Sequence, residues 1–211
     1  MGHKLRNGGG PSGIADGERV LDLLAAHPST ARHIATRLSR RFVGDTPPAA
    51  LVDRVAARFT SSGGDLREVM RTLLLSPEFL APSSAHAKVK TPLEFLVSAL
   101  RATNATVANA RPLVRTMQDL GMPLYQCQPP TGYKDTADAW ASTGAIVERM
   151  NVAQALGTGR VQGTEVHPAA LASLEALVAE LSAPTRATIA RASTDAERLT
   201  LTLGSPEFQR R

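Results

Sequence analysis

The sequence predicts an all-α fold, a multi-helix orthogonal bundle of about eight to ten short helices separated by proline and glycine. Three observations carry that expectation. Aromatic residues make up only 4% of the 211-residue chain, while Ala and Leu are abundant and β-branched runs are few, a balance that favours helix over sheet. Apolar residues recur at helical spacing, and 43% hydrophobic against 20% charged is enough to bury a core at this length. Helix-starting and helix-stopping residues punctuate the text at short intervals.

The opening "MGHKLRNGGGPSG" is rich in Gly and reads as a flexible lead-in over 1–15, without the apolar stretch of a signal peptide. From Asp16 a helix is expected with Val20, Leu21 and Leu24 on one face, ended by Pro28. "STARHIATRLSRRF" places Ala31, Ile34, Ala35, Leu38 and Phe42 on one stripe. After Pro47-Pro48, Leu51, Val52, Val55 and Phe59 face inward, and Asp65 with Glu68 could form a capping box for the next helix. Thr91-Pro92-Leu93-Glu94 combines an N-cap, a proline at the first helical position and a capping-box glutamate. "ANARPLVRTMQDLG" stops at Gly121, and "TGAIVERMNVAQALG" resumes the spacing through Ile146, Val147, Met150 and Leu156. Three more helical stretches fill the remainder.

Residues 16–211 are expected to form a single helical domain, with possible sub-units over 16–82 and 88–211. An internal echo supports the division: His-Pro at 27–28 and 167–168, each followed later by Ser-Pro-Glu-Phe, at 76–79 and 205–208. It suggests two diverged three-helix units around a central helical pair; chance recurrence of common helix-end tetrapeptides is the alternative.

Lys and Arg number 24 against 19 Asp and Glu, a net charge of +5 that gives a mild attraction for polyanions. One helix concentrates it: Arg32, His33, Arg37, Arg40 and Arg41 lie away from Ile34 and Leu38. Such a patch could hold an anionic polymer, yet no aromatic is interleaved for base stacking and no reader pattern surrounds it, so nucleic acid is not the expected partner. "GTGRVQG" at 157–163 has glycine spacing like a phosphate loop but ends a helix and lacks the lysine, so it reads as a stop and linker. His27 and His167 sit before prolines, where capping is expected. One cysteine and five scattered histidines offer no metal set, and no cofactor or membrane span is expected.

The remaining candidate is "MPLYQCQPPTGYKDTADAW", residues 122–140, which gathers both tyrosines, the one tryptophan and the one cysteine. A loop this long in a compact helical protein suggests a function or a covering role. Tyr133 and Trp140 could supply stacking surface, and Asp135 is a weak candidate for a general base. The competing reading makes Trp140 a plug between helices, with Pro129, Pro130 and Gly132 steering the chain.

Six ordered segments carry a resemblance: "HPSTARHIATRLSRRFVGDTPPAALVDRVAARF", "GDLREVMRTLLLSPEF", "VKTPLEFLVSALRAT", "QPPTGYKDTADAWAST", "ERMNVAQAL" and "SPEFQRR". In order, they resemble the C-terminal part of the bacterial domain of unknown function 1800 family. The resemblance implies that the loop belongs to a family pattern, with Pro129, Pro130, Gly132, Tyr133, Asp135 and Trp140 in it and Arg149 and Asn151 on the following helix. Family members are typically longer and often exported, and are commonly encoded beside a second protein resembling sulfatases. This chain is therefore expected to be a truncated copy, an isolated module or a fragment, its compartment undetermined. The functional expectation is a non-catalytic interaction or scaffold module, partnered by the missing N-terminal half or by a separate sulfatase-like protein. The alternatives are a ligand-binding or hydrolytic site built from Tyr133, Asp135, Trp140, Arg149 and Asn151, and anionic-polymer binding by the basic helix over 29–42.

Overall fold

A computed structural model describes the backbone of residues 11–167 and 170–211 and the side chains of 13–167 and 175–211. Among the described residues there are eleven α-helices and a single two-residue β-ladder, so the protein is all-α. The chain divides into two compact units, one running to Ala85 and the other from His86 to Arg211.

The first unit holds α1 (Pro11–Ala25), α2 (Pro28–Phe42), α3 (Ala49–Ser61), α4 (Leu66–Leu74) and the one-turn α5 (Pro77–Leu80). Helix α1 already occupies residues 11–15, part of the expected lead-in; residues 1–10 of that lead-in lie outside the described residues. His27 caps α2 as expected, its ring Nδ1 accepting from Ser29 N at 3.1 Å. Helix α2 packs on α3, and α3 on α4. The face α2 turns inward is a row of small residues, Ala31, Ala35 and Ser39, spaced at four. Small side chains let two helix backbones approach, so this row rather than the bulkier Ile34 and Phe42 meets α3. Ile34 is consequently half-buried and Phe42 exposed, a rotation of the stripe from the one expected. Leu51, Val52 and Val55 from α3 and Val69 and Leu73 from α4 complete the core as the spacing required. Each such side chain contributes roughly 1.5–3 kcal/mol by leaving water.

The second unit holds α6 (Pro92–Ala102), β1 (Thr106–Val107), α7 (Arg111–Asp119), α8 (Thr143–Gly157), β2 (Thr164–Glu165), α9 (Ala170–Ala179), α10 (Ala183–Ile189) and α11 (Asp195–Leu203). The capping box at Thr91 and Glu94 forms as read, and Asp65 caps α4 by accepting from Arg67 N and Glu68 N. Gly121, at φ +81°, takes the left-handed position that ends α7, and Met122 N closes the turn on Met117 O at 2.9 Å. The ladder, which pairs Thr106 with Glu165 and Val107 with Thr164, carried no sequence signal at two residues a strand.

Helix α8 was expected to bury Ile146, Val147, Met150 and Leu156. The buried row is instead Arg149, Ala153 and Leu156, with Val152 partly covered, and Val147 and Met150 face out. The row has the ordinary helical spacing but is centred on an arginine, which a reading of hydrophobicity places on the wrong side.

The Ser-Pro-Glu-Phe echo has a local structural basis. Ser76 Oγ accepts from Phe79 N and Ser205 Oγ from Phe208 N, both at 3.2 Å. Each turn delivers its phenylalanine to the core of its own unit. Each glutamate ties a neighbouring segment: Glu78 pairs with Arg54 of α3, and Glu207 accepts from Ser182 N and Thr185 Oγ1 at the start of α10. The second His-Pro falls partly outside the described residues; His167 itself meets Thr106 Oγ1 at 2.6 Å.

Gly157 marks where α8 crosses α11, because a Cβ there would sit 2.8 Å from the Ala196 carbonyl oxygen. Gly144, in the first turn of the same helix, has open space around it. Gly157→Ala is therefore expected to lower the unfolding free energy by about 1–2 kcal/mol despite the better helix former, whereas Gly144→Ala raises it by up to about 1 kcal/mol. Urea denaturation of the two variants checks the pair.

Candidate functional site

The loop over 122–140 packs Met122 and Leu124 against Leu96, Leu113 and Met117 and is closed by contacts of its own. Tyr133 donates its hydroxyl to Pro123 O at 2.6 Å, a bond that cinches ten residues of chain. Trp140, 6% exposed, donates its indole N–H to Lys134 O at 2.9 Å and meets the Tyr133 ring edge-on with centroids 6.0 Å apart. Two of the three polar aromatics thus form a small core for a segment with little regular structure. Burial first, and Cys127 second, raise the Tyr133 phenol above its ordinary value, which keeps the proton that this bond uses.

Asp135 fastens the loop to the rest of the unit. Lys88, 3% exposed, donates to the Asp135 carbonyl at 2.6 Å and lies 3.4 Å from its carboxylate. Arg211 approaches the same carboxylate at 3.8 Å and pairs with Glu94 at 3.0 Å. A backbone pairing brings these groups together. Residues 88–90 run antiparallel to 209–211, with Lys88 N and Arg211 O at 3.2 Å, Arg211 N and Lys88 O at 2.9 Å, and Lys90 N and Gln209 O at 2.8 Å. Thr91 then opens α6, whose capping-box carboxylate, Glu94, lies where it can pair with Arg211.

Arg149 lies on the other side of this pairing. Its guanidinium is 1% exposed and donates to Lys90 O at 2.7 Å and Gln209 Oε1 at 3.2 Å, over the Phe95 ring at 5.3 Å. Lys90 stands over Phe208, 3.9 Å from its centroid. Burial pushes the Lys90 ammonium down to about 8, with Glu94 opposing and Arg149 adding to the shift, and burial likewise lowers Arg149 to about 10.

The sequence-predicted residues therefore do not converge on one cleft. Tyr133 and Trp140 pair inside the loop, Asp135 is engaged by two cations, Arg149 is enclosed, and Asn151 lies exposed on another face of α8 with Glu148 at 3.5 Å. Lys88, Lys90, Gln209 and Arg211 were missed, and Glu94 was read only as a cap, because these contacts join residues across a long stretch of chain. Tyr125 was missed as well: it stands fully exposed at φ +60°, a backbone conformation few tyrosines adopt. In the first unit, Arg32 pairs with Asp53 at 2.7 Å and Arg40 donates to Asp45 O at 3.2 Å, while His33 and Arg37 are exposed and Arg41 is partly covered. Among the described residues no group of three His, Cys, Asp or Glu is arranged to hold a metal ion, and no helix is long and apolar enough to cross a membrane.

Two measurements follow from this geometry. Trp140→Ala is expected to cost about 3 kcal/mol of stability, and Asp135→Asn about 2 kcal/mol through the buried Lys88 ammonium, both read by thermal denaturation. For Lys90, the unfolded chain holds the proton more tightly than the fold does, so the penalty is full below pH 8 and fades as pH rises towards 10.5. Lys90→Met should thus be more stable than the parent at pH 7, on the order of 1 kcal/mol after solvent screening and loss of the ring contact, with the advantage shrinking across that window.

No curated protein and no solved structure matches this chain. A family model does, and it spans residues 1–210. The loop's aromatic pair, Lys88, Asp135 and Arg149 all fall inside that span, and the chain belongs to the family described as Protein of unknown function (DUF1800).

Proposed function

We propose that the chain is a non-catalytic interaction module that works by docking onto a protein partner. The observation that carries this reading is the apolar row on α1. Ile14, Leu21 and Leu24 follow one another at spacings of seven and three, hence on one side of the helix, and are 70%, 66% and 58% exposed. A row of this kind costs solvation free energy unless something covers it, and contiguous exposed apolar surface marks interaction sites. Leu66, Leu75 and Leu80 add further exposed leucines in the same unit. The rival reading, a hydrolytic site around Asp135, is weakened by the ion pairs that occupy its carboxylate and by the separation of Arg149 from Asn151 around α8. Anionic-polymer binding by α2 is weakened by the use of Arg32 and Arg40 in local contacts.

An apolar row that seeks a partner also associates with itself when the partner is absent. Light scattering on the isolated chain is expected to give a mass above the 22.3 kDa of one chain that falls on dilution. Leu21→Glu combined with Leu24→Glu should return it to a monomer with an unchanged helical circular dichroism spectrum. A wild-type chain that remains monomeric at every concentration would count against the proposal.

A further inference from the structure

The second unit contains a cavity of about 420 Å³ where the end of α8, the strand β2 and the start of α11 come together. Its size falls within the range of small-molecule sites. Its depth is apolar: Leu156 and Leu199 line it and are almost fully buried, with the half-buried Val166 beside them. The ionisable groups in its lining are Glu165, His167 and Asp195, of which Glu165 and Asp195 are exposed and so belong to its mouth. Among the described residues no Lys or Arg lines it, although basic residues outnumber acidic ones in the chain as a whole. The His167 ring is tethered by its Nε2 to Thr106 Oγ1 at 2.6 Å, across the β1–β2 ladder, which fixes that side of the wall.

The glycine-rich segment at 157–163 forms part of the same wall through Gly157 and Gly159. Its spacing imitates a phosphate loop, but its one cation, Arg160, is not part of the cavity's described lining, which carries Glu165 and Asp195 instead. A backbone with no side chain at these points leaves the space open, and the surrounding carboxylates select against anions.

We propose that this cavity is a binding site for a small organic cation, an ammonium group carried on a short apolar chain or ring. The apolar part is buried against Leu156, Leu199 and Val166. The ammonium stays at the mouth between Glu165 and Asp195, where it keeps part of its hydration and gains two carboxylates. Its lining shares no residue with the loop over 122–140 or with α1, and it does not depend on the interaction reading.

The test uses the full chain and three probes of similar length: n-hexylammonium, 1-heptanol and heptanoate. Each is titrated while the backbone amide shifts of Gly159, Thr164, Glu165 and Leu199 are followed. The expected result is a saturable shift at these amides with n-hexylammonium, and binding of heptanoate weaker by at least about tenfold. Glu165→Gln combined with Asp195→Asn should weaken n-hexylammonium by at least about fivefold and leave 1-heptanol unchanged. Both positions are exposed, so the variant is expected to fold, and the three-probe comparison on the wild-type chain stands without it. Shifts that do not saturate, heptanoate binding as tight as the ammonium, or a double variant that binds the ammonium undiminished would each overturn the proposal.

Discussion

The buried guanidinium of Arg149 is the constraint on which the second unit depends. A charge removed from water is costly unless its donors are met, and here the acceptors come from two segments far from it in the chain, the Lys90 carbonyl and the Gln209 side chain. Those two residues are themselves backbone partners, Lys90 N donating to Gln209 O. One side chain on α8 therefore ties together the strand-like segment before α6 and the closing segment of the chain. The Phe95 and Phe208 rings meet edge-on at 6.0 Å beneath it, next to the cations of Arg149 and Lys90.

The loop over 122–140 extends that network. Its aromatic pair gives it an interior of its own, and Asp135 hands it to Lys88 and Arg211, the residues that flank the same antiparallel pairing. Glu94 then closes the arrangement by joining the cap of α6 to Arg211. Asp135, the weak candidate for a general base, is in space also one of the contacts that fasten the loop. The same loop exposes Tyr125 completely, so it also carries a surface aromatic.

Local signals in the sequence translated into structure wherever the cause was local. Thr91 with Glu94, Asp65, His27 and both serines of the Ser-Pro-Glu-Phe pair cap their turns, because a side-chain oxygen or nitrogen needs to reach an N–H only two or three residues away. Helix α3 buries Leu51, Val52 and Val55 because an unbroken apolar stripe leaves one way to face. The face of α2 was read correctly at Ala31 and Ala35 but not at Phe42, and the face of α8 was misread at Val147 and Met150, for a shared reason. In α2 the contact surface is a row of small residues that extends to Ser39, and in α8 it includes an arginine; neither Ser39 nor Arg149 scores as apolar.

The amino-acid order alone determined that this is a helical protein, where most of its helices start and stop, and that the segment between Met122 and Trp140 is set apart from them. Those properties arise from backbone hydrogen bonds and side chains within one turn of each other. Only the tertiary structure decided which face of α8 is inside, that Asp135 meets Lys88 across 47 residues of chain, and that a cavity lined in part by Glu165 and Asp195 opens beside the glycines at 157 and 159. Such contacts join residues distant in the chain, and their energy depends on burial and on partners that exist only after the helices have packed.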